Sequence, residues 1–340
     1  MCEKAGFHGV FWPALLLGAL LAAGCERQPV VVVYTSVDQQ FAQEILQEFS
    51  RRTRVRVEAV YDSEAGKTTG LVRRLEREAA HPRCDVWWSS EVFGTIELAR
   101  RGVLAAYESP AAADLPAEWR SSTHMWTCST ARARVAVYRT DRWRAEALPT
   151  RWLDFGAPEW APRLAIANPQ FGTTRGHLAA LFAYHGESAG RAFLESLRSH
   201  AARIADGNAQ VVALVNGEAA AVGMTDTDDV WVAQRRGQPV DLVYPALADD
   251  LPALWIPCTV ALIAAAPHEP DAKRLVDFLV SAEVERRLAM SDSRNVPLRS
   301  AERAGLDDPH QRRTPERLDY DRIADALPAA ASAARDILLR

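Results

Sequence analysis

The stretch VVVVYTSVDQQFAQEILQEFSRRT, residues 30–53, joins a β-branched run to a helical pattern and decides the fold class. The valines, closed by polar residues, predict a buried strand that ends near Thr35. Apolar residues then recur at Phe41, Ile45, Leu46 and Phe49, the spacing of one helix face. A strand followed at once by a helix is typical of a parallel sheet with helices on its faces.

The same alternation continues along both halves of the chain. After residue 53, RVRVEAVY, KTTGLVRRLEREAA, CDVWWSS and EVFGTIELARRGVL predict strand, helix, strand and helix. ARARVAVYRT and RLAIANP open a second series, and WIPCTVALIAAAP predicts a late strand. We therefore predict an α/β fold of two αβ lobes, each a mostly parallel sheet flanked by helices, joined by hinge strands around a ligand cleft. Lobe 1 is assigned residues 30–131 plus about 259–285, and lobe 2 residues 132–258 plus about 286–340.

Three further patterns make local predictions. RGHLAALFAYHG and AGRAFLESLRSH predict two separate helices, PDAKRLVDFLVSAEVERRLA predicts one long amphipathic helix, and PAAASAARDILLR predicts a terminal helix. Trp87 and Trp88 are adjacent, so on a strand they face opposite ways. We expect one of them in the core and the other at the wall of a cleft.

Composition excludes one class of partner. The 340 residues carry a formal charge of −4 and a pI near 6.1, with 48% hydrophobic and 25% charged residues. These are the values of a globular chain long enough for two lobes. Arg and Lys form no basic run with interleaved aromatics, so we expect no nucleic-acid partner.

The N-terminus predicts export. Lys4 precedes an apolar run over residues 9–23 with the length of a signal-peptide core. Ala22, Ala23, Gly24 and Cys25 resemble a bacterial lipoprotein processing site, so residues 1–24 are predicted to be a signal peptide and Cys25 the lipidation site. The alternative is an apolar leader cut beside an incidental cysteine. We expect an extracytoplasmic protein held at a membrane by its lipid anchor.

The remaining cysteines and the known catalytic motifs give little chemistry. Cys84, Cys128 and Cys258 allow at most one disulfide within a monomer and include no C-x-x-C pair, so buried, inert thiols are expected. Walker, G-x-G-x-x-G and H-E-x-x-H motifs are absent from the sequence. We therefore expect a protein that is not an enzyme and that has no resident cofactor.

Polar residues collect where predicted strands end and helices begin. The carboxyl ends of the strands are where sheets of this class bind ligands, and helix starts attract anions and polar oxygens. Ser, Thr, Asp and Asn are also preferred helix caps, but six clusters on one predicted edge favour binding. The candidate solute contacts are Thr35, Ser36, Asp38, Lys67, Thr68, Ser89, Ser90, Glu91, Thr173, Thr174, Asn208, Asp226 and Thr227.

The acidic stretch VGMTDTDDVW, residues 222–231, has two interpretations. Thr227 can cap a helix, and Asp228 and Asp229 suit its first turn, where negative charge favours the helix dipole. Alternatively, Asp226 and Thr227 contact the solute, because capping leaves Asp226 unexplained. The spacing of the aspartates does not fit an EF-hand calcium loop.

Several stretches together carry a family resemblance. The signal peptide with Cys25, residues 31–53, CDVWWSSE, ARARVAVYRT, PQFGTT, IPCTVALIAAAPHEPDAKRLVDFLVSAEVERRLA and SRNVPLR resemble extracytoplasmic solute-binding proteins of ABC importers. The branch is that of the ferric-iron-binding proteins, which have the type II periplasmic-binding fold. The resemblance implies a monomer that closes two lobes over a solute and delivers it to an ABC permease and its ATPase.

The resemblance leaves the solute open. Ferric members hold iron with adjacent tyrosines where this chain has Thr225, Asp226 and Thr227. If a metal ion such as Fe³⁺ is the transported ligand, Asp226 and Glu64 are its candidate ligands. FGTT, residues 171–174, lies where relatives bind an anion or a phosphate, which favours an anionic or zwitterionic organic solute. A receptor that presents its solute to a membrane sensor is a further alternative.

Overall fold

The computed structural model describes residues 28–62, 66, 68–251 and 253–340. The leader with Cys25 and the loop positions Glu64 and Lys67 lie outside the described residues. Signal-peptide processing, lipidation and the binding roles of Glu64 and Lys67 therefore stay predictions.

The first αβ series follows the order that the sequence predicts. Its strands are β1 (Val30–Thr35), β2 (Arg56–Tyr61) and β3 (Val86–Ser89), and its helices are α1 (Gln39–Thr53), α2 (Thr69–Glu78) and α3 (Phe93–Arg100). β1 pairs in parallel with both β2 and β3. Phe41, Ile45, Leu46 and Phe49 form the buried face of α1, as their spacing predicts. The carboxyl ends of β1 and β3 consequently lie side by side.

The second series repeats this arrangement. Its elements are β6 (Leu164–Ala167), α4 (Gly172–Ser199), β7 (Arg203–Ala205), α5 (Asn208–Asn216), β8 (Val222–Asp226), α6 (Thr227–Arg235) and β9 (Val240–Val243). β6 pairs in parallel with β7 and with β8. α4 contains the two predicted helices, since Gly186 interrupts it with φ 84° and ψ 161°, a conformation that favours glycine. The starts of α4, α5 and α6 each follow the carboxyl end of a parallel strand.

Two long antiparallel strands connect the series. They are β5 (Thr127–Arg139) and β10 (Leu254–Ile263), and the first half of β5 pairs with β10 while its second half pairs with β8 and β9. β10 also pairs with β3 and with the short β4 (Leu104–Ala105). The result is one ten-stranded sheet whose main order is β2-β1-β3-β10-β5-β8-β6-β7. The predicted α/β class is confirmed, and the two parallel sheets are parts of one curled sheet joined through β5 and β10.

The C-terminal region departs from one sequence prediction. The single long helix expected over residues 270–289 is wrong, because the chain forms α7 (Glu269–Leu279) and α8 (Ala282–Met290). Ser281 lies between them in an extended conformation, and its hydroxyl accepts a hydrogen bond from the Val284 N–H. The predicted lobe boundary near residue 285 therefore falls inside α8.

The last two helices are α9 (Ser300–Ala304) and α10 (Tyr320–Leu338). The predicted terminal helix is thus longer than the stretch that indicated it. α10 packs along α4 and also reaches α3. Its Tyr320 hydroxyl donates to the carbonyl of Trp255 in β10 at 3.1 Å, so this helix braces both the crossing strands and the second series.

Buried residues settle two smaller expectations. Trp87 and Trp88 are both fully buried, so the prediction that one of them lines a cleft is wrong. Cys84, Cys128 and Cys258 are buried free thiols, as expected. Among the described residues, the longest apolar helices still fall short of what crossing a membrane requires.

Candidate functional site

Two arginines on the crossing strand β5 dominate the region where the series meet. Arg132 and Arg134 are two positions apart and therefore face the same side of the strand. Their exposed fractions are 4% and 0%, which is rare for arginine unless its charge is compensated. In the pairing of β5 with β8, Arg134 stands directly opposite Asp226.

Asp226 compensates this charge at the end of β8. Its Oδ1 lies 2.9 Å from Arg134 Nη1, and its Oδ2 lies 3.4 Å from Arg132 Nη1. Oδ2 also accepts hydrogen bonds from Thr173 Oγ1 at 2.7 Å and from Asn208 Nδ2 at 2.8 Å. Burial by itself raises the pKa of Asp226, but the two arginines and the Thr173 hydroxyl outweigh it and hold the pKa below its usual range. The carboxylate is thus ionised, fully buried and turned towards the protein.

Arg134 is bound on several sides. Its Nη1 donates to Thr173 Oγ1 at 3.1 Å and to Asn208 Oδ1 at 3.2 Å, and its Nε donates to His177 Nδ1 at 3.3 Å. Burial and the neighbouring guanidinium keep the pKa of His177 well below its usual range, so the ring is neutral. Since Nδ1 accepts from Arg134, the ring proton lies on Nε2.

Arg132 faces the space between the two series. Its Nη1 donates to Asp228 Oδ2 at 2.7 Å, whereas its buried Nε has no acceptor among the described residues. It lines a cavity of about 20 Å³, room for roughly one water-sized group. We call this space the cleft; its wall includes Ser90 from the first series, Arg132, and the first turns of α4 and α5, with Gly172, Thr173, Thr174, Gly207 and Asn208.

The first series brings hydroxyls to the opposite wall. Ser36 Oγ lies 3.3 Å from the Oγ atoms of both Ser89 and Ser90 and accepts the Ser90 N–H at 3.0 Å. Thr35 Oγ1 accepts the Val37 N–H at 3.0 Å and shapes the turn after β1. All four residues are buried at the carboxyl ends of β1 and β3. The structure therefore brings the predicted serine group next to the cleft.

Other predicted contacts lie at its margins. Asp38 precedes α1 and, with Asp228 and Asp229, lines a separate cavity of about 160 Å³ between α1 and α5–α6. Thr68 is buried beside Glu91 and Arg175 on the opposite flank, and its hydroxyl has no hydrogen-bond partner among the described residues.

The side chains of Glu91 and Thr227 accept hydrogen bonds from backbone N–H groups. Glu91 is 2% exposed and accepts the N–H groups of Phe93 and Gly94 at the start of α3. The expectation that Thr227 caps α6 is wrong, because α6 begins at Thr227 and the capping position is Asp226. The Thr227 hydroxyl instead accepts the Ala133 N–H at 3.3 Å. Asp226 is the residue before α6 and makes no side-chain cap, while Asp228 and Asp229 lie in the first turn as expected.

Three carboxylates could by position hold a cation. One oxygen from each of Asp226, Asp228 and Asp229 lies within 4.8 Å of the others. Arg132 reaches two of these carboxylates, at 3.4 Å and 2.7 Å. A cation at this place would therefore have to displace a guanidinium. Glu64, the other predicted metal ligand, lies outside the described residues.

Sequence reasoning missed Arg132 and Arg134. The signal was present, because two arginines stand two positions apart at the start of ARARVAVYRT, a mostly apolar strand. Two arginines on one face of a buried strand need a buried anion or a ligand. Their partner, Asp226, is distant in sequence and becomes adjacent only through strand pairing.

The described residues thus form an α/β receptor of the periplasmic-binding type, with parallel strands on both sides of two crossing strands. A family model described as "Bacterial extracellular solute-binding protein" matches residues 96–326, and the chain belongs to this family. It is a solute-binding receptor of the ABC-importer class, as the resemblance predicts, and acts outside the cytoplasm.

Individual relatives agree on the class and differ in the solute that their names give. The chain is 25% identical over 283 residues to the major ferric iron-binding protein of Neisseria meningitidis serogroup A, covering 80% of this chain and 82% of the relative. It is 24% identical over 290 residues to a protein of Salmonella paratyphi A named as 2-aminoethylphosphonate-binding, covering 83% and 82%. The structure of iron-bound HitA from Pseudomonas aeruginosa matches with a TM-score of 0.79 at 22% identity, over 91% of this chain and 99% of that one, and supports the two-lobed fold.

Proposed function

We propose that the cargo is an anionic or zwitterionic organic solute whose anionic group binds in the cleft beside Arg132. The observation that carries this proposal is Arg132, a buried guanidinium that lines the cleft and whose Nε has no acceptor among the described residues. A buried donor left unpaired costs about 1–3 kcal/mol, more for a charged group. A solute oxygen would remove that cost.

The first turns of two helices also favour an anionic group of the solute at this place. α4 and α5 both begin at the cleft, and the first N–H groups of a helix have no partner within it. Such N–H groups, with the helix dipole, favour an anion. The charges of Arg132 and Arg134 are matched by Asp226 and Asp228, so hydrogen bonds rather than excess positive charge would hold the solute. We expect the candidate contacts Ser36, Ser89, Ser90 and Thr174 to contribute hydroxyls.

A neighbouring acidic cavity supports a zwitterion. Asp38, Asp228 and Asp229 line the cavity between α1 and α6, and Arg132 binds Asp228 from the cleft side. A solute anchored at Arg132 could place an ammonium group among these carboxylates. The relative named as 2-aminoethylphosphonate-binding agrees with such a charge distribution.

A metal ion is the second candidate cargo. The relatives named as ferric iron-binding and the grouped carboxylates of Asp226, Asp228 and Asp229 favour it. It would require Arg132 to leave two carboxylates, and the chain has no tyrosine at the place where the resemblance puts the iron-binding pair. The organic solute would leave both ion pairs of Arg132 in place.

We further propose the remaining features of the receptor. Cys25 carries a lipid anchor, the protein is a monomer without enzymatic activity, and it serves a permease and its ATPase rather than a membrane sensor. Lobe 1 comprises residues 30–131 plus about 259–285, and lobe 2 comprises the rest of the mature chain. Neighbouring genes for a permease and an ATPase would separate the transport role from the sensor role.

The deciding experiment measures what the purified protein binds. Mass spectrometry and metal analysis identify a co-purified solute, while calorimetry and thermal melting test inorganic phosphate, 2-aminoethylphosphonate and a ferric salt. We expect an anionic probe to raise the melting temperature, and Arg132→Gln to weaken its binding by at least about tenfold. Arg139→Gln, on the same strand but outside the cleft, should leave binding unchanged. Stoichiometric iron, with no response to either anion, would reverse the choice of cargo.

A further inference from the structure

We propose that Asp226 and Arg134 are positioning residues for solute binding. Their buried ion pair fixes the first turns of α4 and α5, and the guanidinium of Arg132, in the arrangement that receives the anionic group. This inference rests on the proposed function and adds to it the groups that hold the anion site in shape. It also replaces direct solute contact as the role of Asp226.

The Asp226–Arg134 pair is buried away from the cleft. Both side chains are 0% exposed, and the described residues at the wall of the cleft include Arg132 but neither Asp226 nor Arg134. Asp226 already accepts from donors of Arg134, Thr173 and Asn208. A solute would have to break these bonds to reach its carboxylate.

One carboxylate ties together two helix starts. Asp226 Oδ2 accepts from Thr173, the second residue of α4, and from Asn208, the first residue of α5. Asn208 Nδ2 also donates to Thr173 Oγ1 at 3.0 Å. These helices follow the neighbouring strands β6 and β7, and the shared carboxylate links their first turns directly. The side chains of Thr173 and Asn208 are thus used internally, and the backbone N–H groups of the two first turns remain for the solute.

The same pair sets the orientation of Arg132. Arg134 is held by Asp226, Thr173, Asn208 and His177, so it cannot turn within its site. Arg132 lies on the same face of β5, and its Nη1 contacts both Asp226 and Asp228. With Nη1 used in this way, the buried Nε remains without an acceptor among the described residues. Neutralising Asp226 would remove one of the two anions that hold the guanidinium.

Energetics agree with a positioning role. Burying two charges costs more than burying apolar residues of the same volume, and replacing such a pair by apolar residues is often neutral or stabilising. The Asp226–Arg134 pair is therefore a poor device for stability alone. A fixed set of donors is also what tight binding requires, because donors that are already ordered lose little entropy when a solute arrives.

The test compares a charge-balanced double variant with the wild type. Asp226→Asn combined with Arg134→Gln removes both charges together and so leaves no uncompensated buried ion. Calorimetry with inorganic phosphate and 2-aminoethylphosphonate should show at least a tenfold loss of affinity for the probe that the wild type binds, while circular dichroism and a cooperative melt show a folded protein. Glu285→Gln combined with Arg299→Gln, which removes a second buried pair, is the control and should change stability without changing affinity.

Two single substitutions of Thr173 test the same inference without removing the ion pair itself. Thr173→Val keeps the side-chain shape but removes the hydrogen bond to Asp226 and those that Oγ1 accepts from Arg134 and Asn208, and should weaken binding by about fivefold. Thr173→Ser keeps the hydroxyl and should restore binding. Equal losses in both Thr173 variants, or wild-type affinity in the double variant, would overturn the inference and leave the proposed function standing. A wild-type protein that binds neither probe would overturn the proposed function and this inference with it.

Discussion

Arg175 in the first turn of α4 and Glu97 in α3 form a bidentate ion pair between the second and the first αβ series. Nη1 lies 2.9 Å from Oε2, and Nη2 lies 2.8 Å from Oε1. The side chains are 17% and 21% exposed, so solvent screens the pair only in part. Because α3 follows a strand of the first series and α4 a strand of the second, the pair stabilises the arrangement in which the cleft is narrow.

Removing this pair should favour an open cleft. Glu97→Gln is expected to destabilise the closed arrangement relative to the open one by about 1 kcal/mol, since partly exposed ion pairs contribute little more. Solute affinity should then fall by about fivefold, and small-angle X-ray scattering should show a larger radius of gyration without solute. Arg286→Gln, which removes a pair with Glu302 distant from the cleft, is the control. Unchanged scattering and affinity in Glu97→Gln would show that the pair does not act on closure.

Gly176 in α4 packs directly against the ring of Phe93 in α3. A Cβ at this position would lie 2.1 Å from Cε2 of Phe93 and 2.3 Å from its Cδ2. Gly176→Ala should therefore lower the free energy of unfolding by about 1–2 kcal/mol, since overpacking outweighs the better helix propensity of alanine. Urea denaturation measures the change. Gly305→Ala, where the nearest atom would be 3.8 Å away, should be nearly neutral. A neutral Gly176→Ala would mean that the ring moves aside at little cost.

Local patterns predicted most of the fold because they are direct consequences of burial. The valines of β1 and the apolar face of α1 occur where the sequence places them, since a buried strand and a helix covering it need those residue types. The pattern failed at Ser281 for a physical reason. The apolar spacing of α7 continues through α8, so periodicity alone shows one helix, whereas the extended conformation and cap of Ser281 begin a second.

The site was harder to predict than the fold. The sequence predicted the hydroxyls at the ends of β1 and β3, because polar residues at strand ends are a local signal. The ion pair of Arg134 with Asp226 was not, since it depends on β5 pairing with β8. An arginine on a strand usually faces solvent, and only the fold shows that this strand is buried along nearly its whole length.

The three thiols should be unreactive in the folded protein. Burial raises the pKa of Cys258 to about 11 and moves the pKa values of Cys84 and Cys128 further above their ordinary range. Thiolates are the reactive species, so iodoacetamide should label these cysteines at neutral pH only after unfolding in urea. Peptide-resolved mass spectrometry separates them from Cys2 and Cys25. Labelling of Cys258 in the folded protein at the rate of a free thiol would contradict its burial in β10.

Glu91 should give the stability of the protein a distinct pH dependence. Burial raises the pKa of Glu91 to about 7, from 4.5, although the N–H groups of Gly94 and Phe93 and the charge of Arg175 oppose the shift. The folded state therefore retains a proton that the unfolded state releases. The stability that this proton contributes is fully present below the unfolded pKa and is lost as the pH rises through the folded pKa.

Glu91→Gln removes this titration, because its amide stays neutral and can still accept one backbone N–H. Between pH 5 and pH 8, the free energy of unfolding of the variant relative to the wild type should rise by about 2–3 kcal/mol. Urea denaturation at the two pH values measures this difference. Glu283→Gln is the matched control, since hydrogen bonds from Arg52 lower the pKa of Glu283 to about 2, outside the tested range. If the difference in unfolding free energy between Glu91→Gln and the wild type stays constant from pH 5 to pH 8, Glu91 is ionised throughout. Its charge would then be stabilised by the N–H groups at the start of α3.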